Sequence, residues 1–107
     1  MRLSVVLSMQ PAQFQAATFK GVLETNLASI ASFGYDGVEL AIRDPKLIEL
    51  NGLEALLRKF QLSVPAIGTG QAWGEEGLSF TDPDPGVRRL AIERIKGHIP
   101  LASRFGA

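Results

Sequence analysis

Apolar positions along this 107-residue chain fall into two periods that alternate. Leu3 to Leu7 is a short β-branched, apolar run closed by Ser8 and Gln10-Pro11, which predicts a strand leading into a loop. From Val22 to Phe33, Leu23, Leu27 and Ile30 recur at helical spacing with Glu24 and Asn26 between them, predicting a helix. Gly34 follows where a helix C-terminus favours glycine, because glycine enters the left-handed region without a Cβ clash. Tyr35-Asp36 then turns the chain into a second strand, Gly37 to Ile42. A second helix covers Leu53 to Phe60, with Leu53, Leu56, Leu57 and Phe60 on one face. Ser63 to Ile67 predicts a third strand, whose Pro65 is tolerable only at an edge, a strand start or a bulge. Gly68 to Gly77 reads as a glycine-rich loop from which no helix opens directly.

The last helix carries the strongest signals. Asp84 can accept from the free amides of a first turn, and Pro85 is pre-set for the first helical position. Ile92, Ile95, Ile99 and Ala102 follow at 3-4-3 spacing as its expected apolar face, with Gly106 as the stop. Pro100 removes one backbone hydrogen bond, predicting a kink near Gly97 to Pro100 or two helical pieces. The resulting order, β-α-β-α-β-α, is that of an α/β chain built from three consecutive βα units with parallel strands. Right-handed crossovers would put all three helices on one side of a sheet that rolls towards a barrel.

Composition narrows the possibilities without naming a function. The 46% apolar and 21% charged residues are those of an ordinary globular protein, in a length that permits one domain. Eleven basic and eleven acidic side chains cancel, so the chain lacks the charge footprint of a nucleic-acid or anionic-lipid binder. No apolar run approaches the roughly 20 residues that cross a bilayer. The absence of cysteine excludes disulfides, a thiolate nucleophile and cysteine zinc sites, and fits a cytoplasmic location. Met1 to Ser8 is too short and too interrupted to be a signal peptide.

Candidate chemistry concentrates after the second and third strands. In Gly37 to Ile42, Val38, Leu40 and Ile42 point one way and suit packing under helices, while Gly37, Glu39 and Ala41 point the other. A carboxylate on that face needs a partner, which leaves Glu39 either as a structural or solvated charge, paired with Arg2 or Arg43, or as a group that holds a ligand or metal. Gly68-Thr69-Gly70-Gln71-Ala72-Trp73-Gly74 is not a dinucleotide fingerprint, because its third glycine is one residue late and it follows the third strand. As a loop over a strand end, its glycines would let backbone approach a small polar ligand. Gln71 there offers donor and acceptor for hydroxyls, and Trp73 offers either a core-packing surface or a face for the C–H side of a sugar. Glu75-Glu76 read as solvated loop charges, Asp82 and Asp84 as turn and cap residues, and the single His98 as a hydrogen-bonded structural histidine.

The runs Gly34-Tyr35-Asp36-Gly37-Val38-Glu39-Leu40, Gly68-Thr69-Gly70-Gln71, Gly77-Leu78-Ser79-Phe80-Thr81-Asp82-Pro83-Asp84-Pro85 and the helix end from Arg94 to Ala107 together resemble sugar phosphate isomerase/epimerase proteins. These belong to the xylose isomerase-like TIM-barrel superfamily, which also includes endonuclease IV. The resemblance implies a (β/α)₈ barrel of roughly 250 residues, with residues 1–107 as the N-terminal part of one incomplete domain. It implies a divalent metal (Mn, Mg or Zn) held in the complete barrel by Glu, Asp, His and Glu, two of those glutamates moving a proton beside a carbonyl. Those ligands sit on later strands, so no metal and no catalytic residue is expected of this chain alone. Glu39, Gln71 and Trp73 are its expected substrate-binding residues, and the expected substrate of the complete protein is a small sugar or sugar phosphate. Gln61, where a helix-ending glycine or asparagine is expected, departs from the pattern, as do Gly86 and Pro100. An endonuclease IV-like phosphodiesterase fits less well, because Gly68 to Pro85 carries four carboxylates and no lysine or arginine. A third reading is a non-catalytic truncated domain that forms a homo-oligomer through exposed strand edges or exchange of its last helix.

Overall fold

The computed structural model describes residues 1–11 and 22–107. Its elements are β1 (Ser4–Ser8), α1 (Leu23–Ser32), β2 (Gly37–Ala41), a 3₁₀ turn (Pro45–Leu47), α2 (Leu50–Lys59), β3 (Ile67–Gly68), α3 (Gln71–Glu76) and α4 (Pro85–Phe105). The strands form one parallel sheet in the order β1-β2-β3. Val5 aligns with Val38, Val6 with Glu39, Leu7 with Leu40 and Ser8 with Ala41, while Ala41 aligns in turn with Gly68. The chain is thus α/β, with parallel strands joined through helices as the alternation of periods predicts.

Leu7, Val38, Leu40 and Ile42 form one face of the sheet and pack with Leu27 and Ile30 of α1, Leu53 and Leu57 of α2, and Leu101 of α4. Each such fully buried aliphatic side chain contributes roughly 1.5–3 kcal/mol. β3 is shorter than the predicted Ser63 to Ile67. Gly37 makes an isolated bridge to Ser63, and the ladder resumes only at Ile67, because Pro65 between them has no amide to donate. The approach at that bridge also explains Gly37: a Cβ there would lie 2.7 Å from the Ser63 carbonyl oxygen.

Helix ends follow one design. Tyr35 N donates to Ile30 O and Gly34 N to Ala31 O at the end of α1, with Gly34 at φ 82°. Leu62 N to Leu57 O and Gln61 N to Arg58 O repeat the motif after α2, and Ala107 N to Ala102 O with Gly106 N to Ser103 O after α4. Gln61 therefore occupies a glycine position, at φ 55°, and is the one non-glycine with positive φ among the described residues.

Three expectations are corrected. First, α4 is continuous across Pro100. One missing hydrogen bond in a 21-residue helix is outweighed by the anchors on either side of it, His98 and Leu101. Gly97 assists, since a Cβ there would come within 3.1 Å of Pro45 Cγ in the 3₁₀ turn packed against the helix.

Second, α4 does not bury the predicted stripe: Ile92 and Ile99 are 45% and 62% exposed, while Ala91, His98 and Leu101 are buried. The rotation is set by polar bonds, since Arg94 and His98 reach the carbonyls of Arg43 and Ile42 at the end of β2. Third, a helix does open inside the glycine-rich loop. α3 begins with the Thr69 and Gly70 carbonyls accepting from Ala72, Trp73 and Gly74, and stops at Gly77, φ 69°. No helix of the described residues is long and apolar enough to cross a membrane.

Candidate functional site at the strand C-termini

The chain leaving each strand at its C-terminal end is tied to its neighbours by polar side chains. After β1, Gln10 is buried; its Oε1 accepts from Arg43 N at 2.7 Å and Asp44 N at 2.9 Å, and its Nε2 donates to Asp44 O at 2.7 Å. Ser8 Oγ donates its single proton to Gln10 O at 2.8 Å and must therefore accept from Gln71 Nε2 at 2.9 Å. That assignment turns the Gln71 carbonyl away from Ser8. Gln71 is 1% exposed, and its Oε1 has no hydrogen-bond partner among the described residues.

From α4, Arg94 forms a bidentate pair with Glu76 at 2.6 and 3.0 Å and donates to Arg43 O at 2.7 Å. The Asp44 carboxylate lies 3.9 Å from the same guanidinium, and Arg43 Nε lies 3.8 Å from Glu76. Hydrogen bonding and charge from Arg94 hold the Glu76 carboxyl below its ordinary value and raise the guanidinium in turn, against the opposing effect of burial. Glu76 is thus exposed, as a solvated loop charge would be, but it is paired with Arg94. His98, 4% exposed, places Nδ1 2.8 Å from Arg94 O and Nε2 2.9 Å from Ile42 O, in keeping with the structural role read from the sequence. Asp84 caps α4 through Gly86 N, and Asp82 accepts from Asp84 N, so both carry the turn and cap roles expected of them.

Among the described residues, none of the clefts at the surface brings Glu39, Gln71 and Trp73 together. Glu39 stands on the sheet face opposite the core, beside Val6, with Oε1 3.6 Å from where a Cβ on Gly68 would lie. It is half-buried and forms no hydrogen bond or ion pair among the described residues; neither Arg2 nor Arg43 pairs with it. Ser8, Ala41 and Gly68 continue that face towards the strand ends, where Gln71 is pinned. Trp73, two residues further along α3, projects the other way. It is 69% exposed, so it is not a core residue, and it lines a separate cleft of about 230 Å³ with Phe80, Ala91, Arg94 and Ile95.

Sequence reasoning passed over Ser8, Gln10 and Arg94. The available signal for the first two was their place in a loop directly after a strand, where α/β proteins carry binding groups. For Arg94 it was its position four residues before His98, on the same helical face.

The donor set bears on the metal implied by the resemblance. No group of three or more His, Cys, Asp or Glu side chains among the described residues could hold an ion. Glu39 is a single carboxylate, and Glu76 and Asp44 are engaged with Arg94. The residues described do not fit a divalent metal. What they place near the strand ends is one unpartnered amide carbonyl, one carboxylate and a hydroxyl already engaged with Gln10 and Gln71. Comparison with protein-family models and with curated proteins found no match to this chain.

Proposed function

We propose that this chain supplies the first three βα units of a xylose isomerase-like barrel and contributes substrate-hydroxyl recognition to a sugar or sugar-phosphate isomerase/epimerase. The observation that carries the reading is Gln71. A buried amide is oriented by the Ser8–Gln10 chain so that its carbonyl is left without a partner, at the C-terminal ends of parallel strands. A buried acceptor in that condition costs roughly 1–3 kcal/mol, a cost that a hydroxyl donor from a ligand relieves. Barrel and open α/β sheets bind their ligands at this end of the strands. Glu39, on the same face and free of an ion-pair partner among the described residues, is the second acceptor. In this reading the divalent metal and the two proton-moving glutamates belong to other parts of the complete barrel, so the chain itself binds without turning over.

Saturation-transfer NMR with a ketohexose tests this. The expected result is transfer to the sugar protons in the wild-type chain and its loss in Gln71→Met. No transfer in the wild type overturns the reading. Turnover of a ketose by this chain with Mn²⁺ or Mg²⁺ would overturn the assignment of proton transfer to other parts of the barrel.

A further inference from the structure

We infer that α3 is a hinged cover over the strand ends, and that the Arg94–Glu76 pair is the clasp that holds it closed and so positions Gln71. What the opened site receives rests on the sugar-binding reading above, whereas the opening itself is a property of the free chain.

Gln71 shows why such a movement is needed. Its Oε1 is enclosed as well as unpartnered, so no ligand hydroxyl reaches it while α3 stays closed. α3 is tied down at both ends. Its first residue is joined to the end of β1 by the bond from Gln71 Nε2 to Ser8 Oγ. Its last residue, Glu76, accepts two bonds from the Arg94 guanidinium of α4, at 2.6 and 3.0 Å, and lies 3.8 Å from Arg43 Nε after β2. Arg94 is itself fixed to the frame, since it donates to Arg43 O. Such a charge-assisted, bidentate pair is stronger than the single neutral bond at the other end. The lowered Glu76 carboxyl agrees with this geometry, since the pair is formed at neutral pH.

The rest of α3 is built to move. Among the described residues the apolar core draws on β1, β2, α1, α2 and α4 and takes no side chain from α3. Ala72 is the one apolar residue that α3 buries, and Trp73 stands out in solvent. Six residues do not hold helical form unaided, because an isolated helix is marginal below roughly 12–15 residues. Gly70 precedes the helix and Gly77, at φ 69°, ends it; a Cβ at either would meet nothing within 4 Å. Unpacked residues at the ends of an element are where a hinge takes up its change in backbone angles. Elements with so little buried apolar surface open below the free energy of global unfolding.

Hydrogen exchange of the full chain, followed by NMR at neutral pH and low salt, tests the inference without any ligand. The reporters are the amides of Gly74 and Gly77, which donate to Gly70 O and Trp73 O, and the side-chain amide of Gln71. The reference amides are those of Val38 and Leu40, which donate to Ser63 O and Ala66 O. The reporters should exchange through an opening at least about a hundredfold more populated than that of the reference amides. Glu76→Gln, which keeps the shape and removes the charge, should speed all three reporters by about tenfold. Glu54→Gln, which weakens the comparable Arg104 pair between α4 and α2, should leave them within about twofold. Equal protection of reporters and reference amides overturns the inference, since α3 then opens only with the whole chain. Reporter rates unmoved by Glu76→Gln, or moved equally by Glu54→Gln, also overturn it. Faster exchange at Gly74 and Gly77 with an unchanged Gln71 side chain overturns the positioning role. All of these outcomes leave the sugar-binding reading to saturation transfer with the ketohexose, which decides it separately.

Discussion

Replacing Gln71 by methionine separates a residue kept for binding from one kept for folding. Gln71 is 1% exposed, and the substitution keeps its length and nearly its volume. Two opposing effects follow from the geometry. The Nε2 bond to Ser8 Oγ is lost, worth about 1 kcal/mol, while Ser8 keeps its own bond to Gln10 O. The unpartnered Oε1 is removed as well, relieving roughly 1–3 kcal/mol of desolvation. The balance predicts that Gln71→Met is between neutral and about 2 kcal/mol more stable. For a chain of this size, each kcal/mol moves Tm by about 4–8 °C. Thermal unfolding followed by circular dichroism reads the effect directly. A fall in stability of more than about 1 kcal/mol would refute the reasoning, since it would mean that the amide is satisfied in the free protein and serves the fold.

The remaining predictions concern how the frame is held. Gln61→Gly should stabilise by about 0.5–1 kcal/mol, because it relieves a left-handed residue in the motif ending α2, and Gly34→Ala should destabilise by about 1–2 kcal/mol; urea midpoints test both. His98→Leu should cost about 2–4 kcal/mol, as it leaves the Ile42 carbonyl without its side-chain partner and removes the bond that sets the rotation of α4; an unchanged midpoint would contradict that account. Arg94 holds Glu76, and Arg104 holds Glu54, below the ordinary carboxylate value near 4.5. Lowered carboxyls add stability that is complete above the unfolded value and lost as pH falls through the folded one. Tm should therefore be flat above about pH 5.5 and fall below about 4.5, less steeply in Glu76→Gln. The outer edges of β1 and β3 have no partner strand among the described residues, so light scattering should find a homo-oligomer; a monomer at all concentrations would remove the self-association expectation.

The elements that bury one apolar face were legible in the sequence. Leu27 and Ile30, Val38 and Leu40, and Leu53 and Leu57 all recur at the period of the element they belong to, and all are buried. Gln61 was legible too, since its place at the end of an apolar period marks a position where glycine is favoured. α3 was not, because six residues containing Gly74 and two adjacent glutamates carry no apolar period. Nor was the rotation of α4. Periodicity favoured Ile92 and Ile99, whereas the setting is decided by Arg94 and His98 bonding to carbonyls more than 50 residues away. The candidate site was half legible for a related reason. Gln71 stood out as a hydroxyl-recognising side chain after a strand, but its orientation depends on Ser8, 63 residues earlier. Trp73 shared its loop with Gln71, and only the helix through both residues shows that they face opposite ways.

In the proposed function the carbonyl of Gln71 takes a hydroxyl donor from a ligand. Titrating a neutral ketose into ¹⁵N-labelled chain while following the Gln71 side-chain amide and the Gly68 backbone amide tests it most directly. The account predicts saturable shifts of both resonances, and none at Gly68 in Gln71→Met. Unshifted Gln71 and Gly68 resonances in the wild-type chain, with or without shifts elsewhere, would contradict it.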